Sequence, residues 1–237
     1  MKLGILETDH LNHDLLGLFG SYGEQFTKLL HQVDPQLAIE CFDVVALNYP
    51  QNIDQCDAYL ITGSKFAAYD QVPWILTLQD YIRKLNNHKK PLIGICFGHQ
   101  LIAHSLGGLT QKSKKGWGVG LSRVKVRKQQ EWMIDFQNQF SLLVSHQDQV
   151  VKLPDKAEII ASNDFCMYAA LQIDKHILTF QGHPEFSKTY LKALMHKRKD
   201  SIGEITFNRA VSSLKNGTNS ILIVRWILKF LTSNLKI

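Results

Sequence analysis

An apolar run, Pro91–Phe97, breaks at Gly94-Ile95-Cys96-Phe97-Gly98 and resumes as a helical pattern over Gly98–Leu106. A buried strand, a turn with glycine on either side and a helix in immediate succession leave this stretch little conformational freedom. An apolar strand of this kind is covered on both faces, which points to a parallel sheet with crossover helices. The flanking sequence agrees. Lys2–Leu6, Leu37–Leu47 and Asp57–Gly63 read as strands from their apolar, β-rich runs. Tyr22–Val33 and Pro73–Leu85 carry apolar residues at helical spacing, with Pro73 at a first turn. Thr8–Gly23 is rich in His, Asn, Asp and Gly and reads as a loop.

From Leu109 onward the runs shorten. Gly118–Val126, Ser141–His146, Ala157–Ser162, Met167–Ile173 and His176–Gln181 read as successive strands. Tyr190–Lys199, Ile205–Leu214 and Asn219–Leu231 then read as helices, with Asn219-Ser220 capping the last. No repeat, low-complexity segment or linker intervenes. The reading is one α/β domain over 1–237, an open, mainly parallel sheet flanked by helices. Its core covers about 1–190, and a helical C-terminal extension covers about 191–237.

Composition narrows the class. Of 237 residues, 45% are hydrophobic and 20% charged, enough to bury a core without disulfides or metal. The four cysteines, Cys41, Cys56, Cys96 and Cys166, have irregular spacing and no CxxC pair. That argues against a zinc knuckle or a disulfide framework, and no metal or other cofactor is expected. No apolar run reaches the roughly 18 residues of a membrane helix. The beginning MKLGILETDH lacks a signal-peptide pattern, so a cytoplasmic location without a membrane partner is expected. The net charge of +6 is concentrated near the end of the chain. Residues 190–237 hold nine Lys/Arg against two Asp/Glu, read as a solvated helical face. No aromatic-interleaved basic stripe accompanies it, so no nucleic-acid partner is expected.

Gly94-Ile95-Cys96-Phe97-Gly98 is the G-x-nucleophile-x-G pattern of a strand-to-helix elbow, with Cys as nucleophile. The sulfur would sit at a helix N-terminus, where free N–H groups favour thiolate. The Phe97 N–H would donate to a developing oxyanion. Cys41, Cys56 and Cys166 have no such context and read as small hydrophobes. A Cys nucleophile needs a base held by a third group. Among ten histidines, His183 in His183-Pro184-Glu185 follows an apolar strand, at the sheet edge that carries ligands in open α/β folds. In extended chain Glu185 faces the same side as His183 and would hold one ring nitrogen, with Pro184 rigidifying the pair. His99, three residues beyond Cys96, competes as base but reads as inward and structural. His146 reads as a substrate-loop residue. Lys112, Lys114 and Lys115 read as a solvated loop, and Trp117 as a packing anchor.

Gly94–Gln100, Lys115-Gly116-Trp117-Gly118-Val119-Gly120, Ser145-His146-Gln147-Asp148 and Gln181–Phe186, in that order, resemble the motifs of class I, triad-type glutamine amidotransferases. The resemblance spans about 1–190 and is nearest to stand-alone proteins related to the amidotransferase half of GMP synthase. It implies a flavodoxin-like sheet. It also implies that Cys96 attacks a glutamine side-chain amide, that His183 shuttles the proton, and that Glu185 orients His183 while a γ-glutamyl thioester forms. It assigns the oxyanion hole to Phe97 and Gly63, and substrate contacts to Gln100, Ser64, Ser145, His146, Gln147 and Asp148. The Thr62-Gly63-Ser64-Lys65-Phe66 turn is poorer in glycine and proline than the family's. The substrate is then glutamine or a γ-glutamyl compound. No P-loop is present, so the chain is not expected to use ATP; it either feeds ammonia to an unknown acceptor, such as a separate synthetase subunit, or acts alone. A homodimer is compatible with the chain. A γ-glutamyl peptide hydrolase with the same triad and a non-catalytic binding or regulatory protein are the alternatives.

Overall fold

The computed structural model describes residues 1–235. Each apolar run of the first half becomes a strand: β1 (Lys2–Glu7), β2 (Ala38–Asp43), β3 (Ala58–Ile61) and β4 (Leu92–Ile95). Between them lie α1 (His13–Phe19), α2 (Tyr22–Leu30) and α3 (Pro73–Asn87), and α4 (Phe97–Ser105) follows directly. The second half contributes β5 (Leu109–Lys112), β6 (Gly118–Val126), β7 (Gln139–His146), β8 (Asp148–Lys152), β9 (Ala157–Ser162), β10 (Ala170–Ile173) and β11 (Ile177–Phe180). The chain continues through α5 (Lys188–Lys197), α6 (Lys199–Ile202), α7 (Glu204–Ser213) and α8 (Ser220–Ser233). Lys236 and Ile237, the end of the expected extension, lie outside the described residues.

Nine strands form one sheet in the order β2-β1-β3-β4-β11-β10-β9-β6-β7. The pairings from β2 to β11 are parallel, and those from β11 to β7 are antiparallel. β5 and β8 form a separate antiparallel pair. This is the expected α/β architecture, with an antiparallel wing on its parallel part.

Strand alternation divides the core. Leu3, Ile5, Leu60, Ile93 and Ile95 face α2 and α8, where Phe26, Leu30, Trp226, Ile227 and Phe230 close the layer. Leu6, Tyr59, Ile61 and Leu92 face Ile75, Leu78, Ile82, Leu101 and Ile102 of α3 and α4. A third cluster joins Leu143 to Phe186, Tyr190, Leu191, Met195 and Phe207. It fixes α5 and α7 against the antiparallel wing. Among the described residues, no helix is long and apolar enough to cross a membrane.

Three expectations are corrected and two strands are added. The Thr8–Gly23 loop contains α1 and the start of α2. Part of the segment's polarity is capping: Asn12 Oδ1 accepts from Leu15 N–H, and Ser21 with Glu24 forms a capping box. α1 buries only Leu15, so it leaves no apolar period to read. β5 and β8 were not foreseen, because short polar strands such as Leu-Thr-Gln-Lys carry little alternation. Asn219 does not cap α8 with its side chain. Its Oδ1 instead accepts from Ser141 N–H at 2.8 Å, pinning the helix start to β7. Cys41 is exposed on β2, the sheet's edge strand, whereas Cys56 and Cys166 are buried as expected.

Candidate active site

The elbow is built as its glycines require. Cys96 has φ 52° and ψ −100°, a strained region for a residue with a Cβ. Its N–H donates to Phe180 C=O at 2.8 Å, and Gly98 N–H donates to Thr62 C=O at 3.1 Å. A Cβ on Gly98 would overlap the Ile61 carbonyl, so only glycine lets α4 start this close to β3. Phe97 opens α4, and its N–H is one that no intrahelical carbonyl accepts.

β4 and β11 are parallel neighbours, so the residues after each strand emerge side by side. His183 Nδ1–H donates to Glu185 Oε1 at 2.7 Å, with both side chains buried. Its backbone N–H donates to Leu143 C=O at 2.8 Å, tying the segment to β7. Phe186 lies flat on the imidazole, ring centroids 3.7 Å apart, and is itself wedged against Tyr190. Burial alone would push the His183 pKa down. The neighbouring Glu185 carboxylate and Cys96 outweigh it and raise the pKa, which favours imidazolium. His99 goes inward, as expected. It is fully buried, its Nδ1 lies 2.8 Å from Thr179 Oγ1, and burial lowers its pKa to about 3.

A cleft of about 430 Å³ opens to solvent above Cys96. Ser64, Gln100, Ser145, His146, Gln147 and Asp148 all reach its wall, so the structure brings these six together. Phe97, Gly63, His183 and Glu185 lie behind that surface. Gly63 is close to the pair, since a Cβ on it would stand 2.8 Å from His183 Cε1. Gln100 is more committed than the sequence implies. Its Nε2 donates to Asp148 C=O at 2.7 Å and to Gln181 Oε1 at 3.0 Å. Gln181 Nε2 in turn points at Cys96 Sγ from 3.6 Å. Burial lowers the His146 pKa to about 4, leaving a neutral ring whose Nδ1 is 2.9 Å from Asp148 C=O. Burial raises the Asp148 pKa, and Tyr69 faces its carboxylate. Lys112 and Trp117, read as loop and packing residues, also line the cleft. Among the described residues no three His, Cys, Asp or Glu side chains are grouped as metal ligands.

Sequence reasoning missed the supports of the Gly63 turn. Thr8 Oγ1 donates to Gly63 C=O at 2.9 Å, and Thr8 N–H donates to Thr62 Oγ1 at 3.1 Å. The buried Asp9 accepts from Lys65 N–H at 3.0 Å and pairs with its ammonium at 2.8 Å. The only signal for these two residues was their position just beyond a strand's C-terminal end. Arg198 was missed as well. It reaches the cleft from the end of α5.

The fold and the elbow define a glutamine amidotransferase of class I. The sequence model of that family matches residues 21–199, and the chain belongs to it. It is 32% identical over 179 residues to gamma-glutamyl peptidase 3 of Arabidopsis thaliana, covering 73% of this chain and 68% of the relative. It is 27% identical to a glutamine-hydrolyzing GMP synthase subunit of Sulfolobus acidocaldarius, covering 71% of this chain and 88% of that one. Among solved structures, a glutamine amidotransferase from Thermotoga maritima superposes with a TM-score of 0.76 at 15% identity. That match covers 98% of this chain and 97% of the other.

Proposed function

We propose that this protein hydrolyses γ-glutamyl amide bonds through a Cys96 thioester and that its leaving group is larger than ammonia. The observation that carries the reading is the open cleft of about 430 Å³ above Cys96. Glutamine has ten non-hydrogen atoms and takes about 300 Å³ even at the roughly 30 Å³ each that a water occupies. The surplus volume leaves room for a small amino acid in place of ammonia, and the cleft's opening to solvent lets a longer leaving group extend outward. The peptidase relative supports the same choice.

In this mechanism the Cys96 thiol proton passes to His183 while the sulfur attacks the γ-carbonyl carbon. Negative charge collects on the carbonyl oxygen, facing the Phe97 and Gly63 N–H groups. His183 then gives its proton to the departing nitrogen, the C–N bond breaks, and the thioester forms. Water attacks the thioester with His183 as base, releasing glutamate and restoring the thiol. Glu185 fixes the ring's orientation and favours the imidazolium. Ser64, Gln100 and the backbone of Gln147 and Asp148 would hold the α-amino and α-carboxylate groups.

A second reading keeps glutamine as substrate and passes ammonia to a separate synthetase subunit. The likeness to the GMP synthase relative favours it. The test is product release from γ-glutamylglycine and from glutamine by the wild type and by Cys96→Ala. Faster, Cys96-dependent cleavage of the dipeptide is the expected result. Preference for glutamine selects the second reading. Turnover of neither substrate overturns both in favour of a binding role.

A further inference from the structure

Arg198 ends α5 and starts α6. Every other Lys or Arg between residues 190 and 235 is exposed, whereas Arg198 is half-buried in the wall of the Cys96 cleft. Its Nη1 donates to Ser145 Oγ at 3.1 Å, and its guanidinium carbon lies 5.7 Å from the Trp117 ring centroid. These two contacts set the plane of the side chain. Among the described residues no carboxylate forms an ion pair with it. The acidic groups of the cleft are engaged elsewhere: Asp70 accepts from Ala67 N–H, and Asp148 faces Tyr69. A guanidinium has five N–H donors in a rigid fork, and Ser145 uses one. A half-buried cation held in place without a counter-charge is suited to a ligand carboxylate.

The chain's topology says which end of the substrate that is. His183 hydrogen-bonds Leu143, and Ser145 lies two residues farther along β7, so both β7 side chains share one sheet face. That face is packed by Phe186, which stacks on His183, and by α5, which ends at Arg198. His183 protonates the departing nitrogen, so the leaving group occupies the same side.

We propose that Arg198 binds the carboxylate of the leaving group, so that the preferred substrates are γ-glutamyl amino acids and peptides rather than uncharged γ-glutamyl amides. The proposal rests on the γ-glutamyl hydrolase reading above. It is tested with γ-glutamylglycine and γ-glutamylmethylamide, which share the scissile bond and differ by the carboxylate. In Arg198→Gln, kcat/KM for γ-glutamylglycine should fall roughly 10- to 100-fold, the scale of one charge-assisted contact. The methylamide should stay within about twofold, and Arg198→Lys should recover part of the loss. An equal loss on both substrates, from a variant whose melting temperature is unchanged, overturns the proposal in favour of a contact to the glutamyl part. No loss on either overturns it outright. Wild-type protein that cleaves neither substrate refutes the hydrolase reading itself, and this proposal with it.

Discussion

Replacing Glu185 with Gln in a Cys96→Ser background isolates what the carboxylate does to His183, because the serine removes the thiol's charge. The two side chains are buried and their N···O distance is 2.7 Å. At an effective dielectric of about 20, opposite unit charges that close attract by about 6 kcal/mol, a ceiling of about four pKa units. Gln keeps the shape and one hydrogen bond worth about 1 kcal/mol but not the charge. Burial, which lowers the ring's pKa, persists in both proteins. His183 should therefore titrate at least about two units lower in Cys96→Ser/Glu185→Gln than in Cys96→Ser, ending below the ordinary value of about 6.5. Ring nitrogen NMR shifts followed from acid to alkaline pH read both values directly. A difference under about half a unit would show that Glu185 only positions the ring, and would refute the electrostatic argument. The stability consequence has a definite sign. A raised folded-state pKa stabilises fully below about 6.5, and the benefit is lost as pH rises through the folded value. Cys96→Ser should thus exceed the double variant in stability most near pH 6, with the gap closing in alkali.

Other perturbations probe the packing behind the cleft. In Gly63→Ala the new Cβ would stand 2.8 Å from His183 Cε1, on a ring already held by Glu185 and Phe186. A displacement of several tenths of an ångström should cost kcat about tenfold or more, and an unchanged kcat would contradict the geometry. Tyr22 and Tyr190 share a buried hydroxyl pair at 2.9 Å. Tyr22→Phe should cost about 1–2 kcal/mol in urea unfolding by leaving its partner unsatisfied. Adding Tyr190→Phe should cost less than its single effect, and strict additivity would argue against the pair. Phe186→Ala should lose about 3 kcal/mol or more and lower kcat as well, since the ring it removes is stacked on His183. A stable, fully active variant would refute that role.

The sequence alone determined what is local. The strand-to-helix elbow at Cys96 is legible because a tight turn demands glycines at fixed offsets, and a Cβ at Gly98 has no room beside Ile61. The His183–Glu185 bond is legible because i and i+2 face one way in extended chain. The long helices and the strands other than β5 and β8 follow from the period of their apolar residues. The tertiary structure decided everything that depends on which distant segments become neighbours. Thr8 supports Gly63 across 55 residues of sequence, and Arg198 meets Ser145 across 53. Gln181 reaches Cys96 only because β11 lies beside β4. Cys41 is exposed on β2, the last strand of the sheet, where its neighbour Phe42 is buried. The Asn219 side chain binds Ser141 instead of its own helix's first N–H groups because the antiparallel wing presents a free N–H there. Side-chain period and turn chemistry act within a few residues, whereas strand order and the packing of helices on the two sheet faces come from the cooperative burial of the whole chain.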